Sequence, residues 1–244
     1  MKNATKTILG FLLAATLTAC GGGKLYIGTP PPNTKTINID FNTSAEGWAT
    51  GFADYPAGQE TFFELESSYT ALPASLGQNR KGIKISGNNH SDDLFMFITK
   101  KFTGFEPNTR YEMDFELGIG TNVHSGCSGI GGSPGDSVYV KAGAAKIEPK
   151  AVNDGTGFYL LNIDKSNQAA GGSDVMLIGN IANGLDCDNQ DTSFKKKTLK
   201  SEAGKFTTYS DVNGAIWVIF GTDSGYEGTT TIYFVDAAVK ITKR

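Results

Sequence analysis

A stretch of strict alternation at residues 111–119 most constrains what this chain can fold into. Every second residue is large and apolar, and three of the four residues between them are acidic: Tyr111, Met113, Phe115, Leu117 and Ile119 against Glu112, Asp114 and Glu116. Successive side chains of a β-strand point to opposite faces, so this pattern predicts a strand with one buried face and one face in water. Such a strand needs a second apolar layer to cover it.

The rest of the chain repeats this kind of signal in shorter pieces. Residues 37–41, 61–66, 83–85, 94–98, 137–141, 157–163, 175–181, 194–200, 215–220 and 229–241 all read as strands, and no later segment keeps a 3.6-residue period. Glycine accounts for 31 of the 244 residues, well above its usual share of about 7%, as expected for many tight turns. We therefore predict an all-β protein with a single β-sandwich domain at residues 36–244. We predict a jelly-roll topology because a strand near the start of the domain and the last strand could pair side by side.

The first nineteen residues have the layout of a secretory signal peptide. Lys2 and Lys6 precede an apolar run over residues 8–17. A membrane-spanning helix needs about 20 apolar residues, and this run has about half that length. The sequence therefore favours a cleaved signal at residues 1–19 over a transmembrane anchor.

The four residues that end this segment, Leu17, Thr18, Ala19 and Cys20, resemble the lipobox of bacterial lipoproteins. In that family the cysteine receives lipid, palmitate among its acyl chains, and becomes the first residue of the mature protein. The resemblance implies lipidation of Cys20 and anchoring to a bacterial membrane. Gly21, which is not an aspartate, implies sorting to the outer membrane where the host has two membranes.

Residues 20–35 form a predicted tether between the lipid and the domain. The segment contains a run of glycines and then three prolines, Pro30, Pro31 and Pro32. Loss of the signal lowers the basic residues from 22 to 20 against 25 acidic ones. A net negative charge argues against nucleic acid as a partner, so we expect none.

Cysteine usage depends on the lipid at Cys20. If Cys20 is lipidated, Cys127 and Cys187 are the remaining two cysteines. In an exported protein they could form one disulfide, and a metal pair is the alternative. Neither cysteine has a second Cys at ligand spacing beside it, so we favour the disulfide.

Two short segments resemble the galactose-binding-like jelly rolls found in many carbohydrate-binding modules. One is Ile39, Asp40 and Phe41 followed by Gly47 and Trp48, and the other is the ending at residues 232–236. In that family a structural calcium often sits between the first and last strands, which implies Asp40 and Asp236 as metal ligands here. The acid that usually follows the first-strand Phe is Asn42 in this chain.

A further resemblance covers most of the domain. Residues 88–97, 126–135 and 139–143 are similar to a group of uncharacterised bacterial exported proteins. This resemblance implies export and brings no activity with it.

Two groups of residues are candidates for ligand binding. Sugar recognition needs a flat aromatic face with polar groups beside it, and Trp48, Asp54 and Tyr55 supply both in one loop. A polar knot at residues 88–93 contains His90 and Asp92 at the mouth of an apolar strand, where His124 from a glycine-rich loop could join them. A structural network that caps the strand remains the alternative for this second group.

Catalysis is the competing hypothesis. Glycoside hydrolysis needs two carboxylates about 5 to 9.5 Å apart, and Glu64 with Glu66, on one predicted strand, would meet this requirement. The outer face of a solvated strand would look the same. The sequence thus favours a lipid-anchored, non-catalytic binding module for a glycan or another envelope component. A carbohydrate-active hydrolase or lyase, and a structural or adhesive surface lipoprotein, are the alternatives.

Overall fold

The computed structural model describes residues 34–244, and it places fifteen strands and one short 3-10 turn at Ala74–Leu76 there. The strands are β1 Thr34–Asp40, β2 Ala49–Ala53, β3 Tyr55–Pro56, β4 Glu66–Ala71, β5 Lys81–Asn88, β6 Leu94–Thr103, β7 Arg110–Thr121, β8 Val138–Ala145, β9 Ala151–Asn153, β10 Phe158–Leu161, β11 Val175–Asn180, β12 Lys195–Lys200, β13 Phe206–Tyr209, β14 Ala215–Ser224 and β15 Thr229–Lys243. No α-helix occurs in this part of the chain. The all-β prediction is confirmed.

Two large sheets form a sandwich. The seven-stranded sheet has the order β12-β7-β15-β5-β4, with β1 paired to β15 and β13 paired to β7, and the five-stranded sheet has the order β11-β8-β14-β6-β2. Apolar side chains from both sheets meet in one core, among them Phe115 and Phe234 from the first sheet and Met96 and Phe220 from the second. A β-sandwich buries the apolar face of each sheet in this way.

The first and last strands lie side by side, as the jelly-roll prediction required. β1 pairs antiparallel with β15 from Thr34 opposite Thr242 to Asp40 opposite Asp236. β15 also pairs with β5, where Thr229 lies opposite Asn88. The strand β15 therefore runs the length of the sandwich, with Thr34 near one end and Asn88 near the other.

A third, small sheet covers the outer face of the five-stranded sheet. Its order is β3-β10-β9. A second apolar cluster joins Ile163, which follows β10, to Phe95 and Phe97 of β6 and to Ile219 of β14. Phe95 and Phe97 alternate with Leu94 and Met96, which belong to the main core, so β6 is apolar on both faces. We call residues 146–174 the cover segment.

One local expectation differs from the structure. Residues 61–64 form a turn, in which the backbone Glu64 N donates a hydrogen bond to Thr61 O at 3.2 Å. The strand begins only at Glu66. Glu64 and Glu66 therefore do not share the face of one strand.

The lipobox, Cys20, the signal peptide and most of the predicted tether lie outside the described residues. Within residues 34–244, no helix is long and apolar enough to cross a membrane.

Candidate functional site

Several loops meet at the end of the sandwich that lies opposite Thr34, which we call the distal end. Asn88 N donates to Phe63 O at 2.7 Å, and Asn89 Nδ2 donates to Ser224 O at 2.8 Å. Ser91 Oγ donates to Asp54 O at 2.9 Å. The polar knot at residues 88–93 thus connects the turn at residues 59–65 to the start of β3 and the end of β14, and it caps the apolar strand β6.

An exposed aromatic pair lies on this end. The Phe62 ring stacks on His90, with ring centroids 4.1 Å apart and an interplanar angle of 22°. Phe62 is 58% exposed, and His90 is exposed as well. Phe63 packs edge-on against His90 and is buried, so it supports the pair from below. The pair presents a flat aromatic surface to solvent.

Acidic side chains flank the same turn. Glu60, Thr61, Glu64, Leu65 and Glu66 line an open groove of about 350 Å³. Glu60 accepts a hydrogen bond from the Tyr55 hydroxyl at 3.5 Å, and Glu66 pairs with Lys84 at 3.0 Å. Carboxylate oxygens that line an open groove can accept hydrogen bonds from the hydroxyl groups of a ligand.

A buried ionic cluster lies beneath the polar knot. Asp223 Oδ2 accepts hydrogen bonds from Lys141 Nζ at 2.7 Å and from Lys165 Nζ at 2.9 Å. Lys165 Nζ also lies 2.8 Å from Asp54 Oδ2 and 3.9 Å from Asp93 Oδ1. The side chains of Asp223 and Lys141 are completely buried, whereas that of Asp93 is 31% exposed.

The local backbone explains how these groups reach one point. Asp54 lies between β2 and β3, Asp93 directly precedes β6, and Lys165 follows β10 in the cover segment. Lys141 of β8 lies opposite Gly221 of β14, and side chains two residues apart on a strand share a face, so Lys141 and Asp223 lie on the same outer face.

Burial and charge together set the protonation states of the cluster. Burial, and then the neighbouring carboxyl group of Asp223, raise the pKa of Asp93 to about 8. Burial opposes ionisation of Asp223, but the neighbouring Asp93 and the two lysines hold its pKa below the usual range. Burial also raises the pKa of Asp54, although Lys165 offsets part of this effect. For Lys165, burial is outweighed by the three carboxylates, which raise its pKa.

The same cluster is where a metal ion could be held. Asp54, Asp93 and Asp223 each offer an oxygen within 4.8 Å of the others, and they are the residues among 34–244 that meet this condition. Calcium prefers such oxygen ligands. However, Lys165 and Lys141 already place two ammonium groups against these carboxylates. The donor set therefore fits a resident lysine cation better than calcium, because a metal would have to displace Lys165.

A pocket of about 250 Å³ opens beside the cluster, at the boundary between the cover segment and the sandwich. Asp54 and Asp93 line one side, and Leu160, Leu161, Ile163, Asp164, Lys165 and Ser166 line the other. We call it the seam pocket. Backbone hydrogen bonds from Ser173 and Ser166 hold the pKa of Asp164 below its usual range, so a neutral Asp93 and an ionised Asp164 face the same space at pH 7.

Unusual backbone conformations concentrate at the distal end. Seven non-glycine residues in the described chain have positive φ, and five of them belong to the loops just described: Asp54, Glu64, Asp92, Ser166 and Gln168. Gln168 Nε2 donates to Asp92 O at 2.7 Å, which joins two of them. Positive φ is costly for most side chains and is often found at functional sites.

Trp48 lies outside the distal end. Its ring packs against Phe41, Phe102 and Phe220, with centroids 5.3, 6.2 and 6.0 Å away. Its remaining surface lines a shallow groove of about 250 Å³ that also contains Asp40 but neither histidine. Tyr55, which was predicted to act with Trp48, is buried and stacks near Phe63 and Tyr159. The predicted aromatic loop is therefore divided between two places.

His124 lies near the disulfide and away from His90. The disulfide Cys127–Cys187 is present, with a Cα–Cα distance of 5.0 Å. His124 is buried, and its Nε2 lies 2.9 Å from Asp191 O, on the loop that follows Cys187. His90 stacks on Phe62 and not on His124, and Asp92 is exposed beside it.

Asp40 and Asp236 are brought directly opposite each other, as the calcium prediction required. Each carboxylate nevertheless has its own cation. Arg80 lies 3.5 Å from Asp40, and Lys196 lies 2.5 Å from Asp236. These two residues therefore carry separate surface ion pairs in the structure.

Sequence reasoning missed Phe62, Lys141 and Lys165 as site residues. Lys141 alternates with Val140 and Ala142, so period two places it on a solvent face. It is buried because the cover segment lies over that face, a long-range contact with no local signal. Phe62 fell within a predicted strand. The turn residues Gly58 and Gln59 before it were the available signal.

No family model matches this chain, and no curated protein sequence matches it. Among solved structures, the chain is similar to the enzymatically active domain of bacteriophage CBA120 tailspike protein 4, with TM-score 0.35 and 10% identity over 79% of this chain and 19% of that one. It is similar to a carbohydrate-binding module of the β-sandwich superfamily, with TM-score 0.37 and 13% identity over 83% and 59% of the two chains.

A third similar structure is the mannan-recognising carbohydrate-binding module TmCBM27, with TM-score 0.38 and 9% identity over 86% of this chain and 98% of that one. The chain thus spans about a fifth of the tailspike domain and less than two thirds of the second structure. At these scores and identities the likenesses carry no argument about function.

Proposed function

We propose that this protein is a lipid-anchored envelope protein whose domain binds a glycan, without catalysis, at the distal end. The exposed Phe62 ring stacked on His90 carries this proposal. A sugar ring presents an apolar C–H face and a rim of hydroxyl groups, so it needs a flat aromatic surface with hydrogen-bond acceptors nearby. The Phe62–His90 pair and the neighbouring Glu60 and Glu64 supply both.

The position of this surface suits an anchor at Cys20. At about 3.3 Å per residue, the part of β15 between Thr229 and Thr242 is about 40 Å long. Thr34, where the described chain begins, pairs with Thr242, and the Phe62–His90 pair lies near Asn88 at the other end. The chain ahead of Thr34 therefore joins the domain at the end opposite the aromatic pair.

The negative charge of the groove beside Phe62 indicates which class of glycan can bind there. Glu60, Glu64 and Glu66 line the groove beside Phe62, and of these Glu66 has a lysine partner. Like charges across an interface disfavour association. We therefore expect neutral glycans to bind and uronate-rich or sulfated glycans to be rejected.

A glycan array probed with the full-length chain in detergent tests this function. We expect binding to neutral oligosaccharides that falls at least about tenfold in Phe62→Ala, as for the loss of a central aromatic anchor. Tyr209→Ala is the matched control because Tyr209 is 54% exposed and lies at the opposite end, across from Arg110. Absence of glycan binding, or equal loss in both variants, would contradict the proposal.

Lipidation is tested separately. Cells that express the full chain and are fed a clickable fatty acid should label it, and Cys20→Ala should remove the label while Cys127 and Cys187 remain. Label retained in Cys20→Ala would rule out this anchor.

A carbohydrate-active hydrolase is the second candidate, and the seam pocket favours it. Asp93, with its pKa raised to about 8, and the ionised Asp164 line the same pocket. Pairs of carboxyl groups whose pKa values are driven apart are the usual acid and base of such enzymes. Product release from a panel of polysaccharides, abolished in both Asp93→Asn and Asp164→Asn, would support hydrolysis, and an inert panel would exclude it for those substrates.

A further inference from the structure

Two carboxylate oxygens in the buried cluster accept no hydrogen bond, and the two carboxyl groups that carry them each offer an oxygen within 4.8 Å of the other. Both lysines are directed to Asp223 Oδ2, so Asp223 Oδ1 is buried and receives no hydrogen bond. Asp93 Oδ1 is also buried without a hydrogen bond, and its nearest ammonium, Lys165, is 3.9 Å away. Two ionised carboxylates in this arrangement would repel each other in a poorly solvated space.

The charges around the pair do not balance unless one carboxyl is neutral. Asp54 approaches from the junction of β2 and β3, Lys141 from β8, and Lys165 from the loop after β10. Three carboxylates thus face two ammonium groups, which leaves one excess negative charge within the cluster, and Asp164 adds a further carboxylate across the seam pocket. One proton between Asp93 and Asp223 removes the excess charge within the cluster and gives both buried oxygens a hydrogen-bond partner.

We propose that Asp93 and Asp223 share one proton, and that this proton fastens the polar knot at residues 88–93 and the loop at residues 163–168 to the sandwich. The proposal concerns the same end of the molecule as glycan binding but requires no ligand. The raised pKa of Asp93, caused first by burial and then by Asp223, agrees with this arrangement.

Loss of the proton has a defined structural route. Asp93 is the member of the pair with exposed side-chain surface, so it is the one that can turn toward water when it ionises. Its neighbour Asp92 accepts the hydrogen bond of Gln168 through its backbone oxygen. Movement of Asp93 would therefore loosen residues 88–93 and 163–168 together, on both sides of the seam pocket.

The direction of the pH dependence follows from linkage. In the open state Asp93 has an ordinary pKa near 3.8, and in the closed state its pKa is about 8. The closed state therefore holds one more proton between these values, so its advantage is complete below pH 4 and is lost as the pH rises to 8. The opening equilibrium should increase by up to about tenfold per pH unit across this range and level off above it.

Hydrogen exchange of the full-length chain, measured from pH 5 to 9 and corrected for the intrinsic rates, tests the proposal. Protection in residues 88–93 and 163–168 should fall with rising pH up to about 8. Asp93→Asn, which keeps a donor toward Asp223 and cannot ionise, should remove this dependence. Asp92→Asn is the control, since Asp92 is exposed and lies outside the cluster, and it should behave like the unmodified protein.

Infrared spectroscopy supplies a readout that a purely structural role for Asp93 would not move. At pH 7 the unmodified protein should show a protonated carboxyl band that is absent in Asp93→Asn and present in Asp92→Asn. A missing band at pH 7, or protection that stays constant with pH in the unmodified protein, would overturn the shared proton. A pH dependence that persists in Asp93→Asn would also overturn it.

Discussion

Lys141 Nζ donates to Asp223 Oδ2 at 2.7 Å, and neither side chain has any exposed surface. A buried ion pair contributes little compared with an apolar pair of equal size, but removal of one partner leaves a charge without compensation. The two residues come from the neighbouring strands β8 and β14. Their side chains form an ion pair on the outer face that the cover segment covers.

Replacement of Lys141 by Met should therefore lower the free energy of unfolding by about 3 kcal/mol or more, because the buried Asp223 loses one of its two cations and shares Lys165 with Asp54. Chemical denaturation at pH 7 measures this loss. Lys205→Ala is the control. Its partner Glu202 is exposed, as is Lys205 itself, and such pairs contribute less than about 1 kcal/mol. A loss in Lys141→Met no larger than in the control would show that the buried pair does not sustain the fold.

Trp48→Ala should destabilise the domain by about 2 to 4 kcal/mol, since the ring fills space between Phe41, Phe102 and Phe220. Glycan binding measured below the unfolding transition should persist, because Trp48 lies outside the distal end. Trp48→Phe should recover much of the stability. Selective loss of binding in a stable Trp48→Ala protein would instead place the ligand in the groove beside Asp40.

The disulfide closes a loop with a sequence separation of 60 residues. In the chain-entropy description, such a loop contributes about 4 kcal/mol by restricting the unfolded chain. Reduction, or replacement of Cys127 and Cys187 by Ser, should lower the free energy of unfolding by this order. Thiol titration of the unreduced, denatured chain should find neither cysteine free. Two reactive thiols would contradict the bridge.

Calcium should have little effect on the unmodified protein. Lys165 already occupies the space between Asp54 and Asp223, so neither a chelator nor added calcium should shift the melting temperature measurably. In Lys165→Met the carboxylates lose this cation, and added calcium should then raise the melting temperature. A fall in the melting temperature of the unmodified protein on chelation would establish a metal that these contacts do not accommodate.

The sequence predicted the strands well where apolar and polar residues alternate cleanly, as at residues 111–119 within β7. It also predicted that the first and last strands pair, and that Cys127 joins Cys187. It failed at residues 61–64, where a short mixed segment fits a turn as well as a strand. There, the bond of Asn88 N to Phe63 O and the packing of Phe63 under His90 fix the turn, and both partners lie far away in the chain.

The sequence predicted only part of the candidate site. His90 and Asp54 were predicted to bind ligand, and both lie at the distal end. Trp48 and Tyr55 are seven residues apart in the chain, yet one packs beside Phe102 and the other lies in β3 of the small sheet, buried beside Phe63 and Tyr159. Proximity in sequence could not show this because a strand boundary at Ala53 sends the chain to another layer.

By itself, the sequence determined the class of fold, the partner of each domain cysteine and the hypothesis of a lipid at Cys20, since each depends on local pattern or on counting. Only the tertiary structure decided which charged residues are buried. Lys141, Lys165 and Asp223 come from three separate segments, and each would be solvated on its own strand or loop. They form one cluster because the cover segment excludes water from the outer face of the five-stranded sheet. A buried charge requires a partner, and that partner is specified by packing and not by position in the chain.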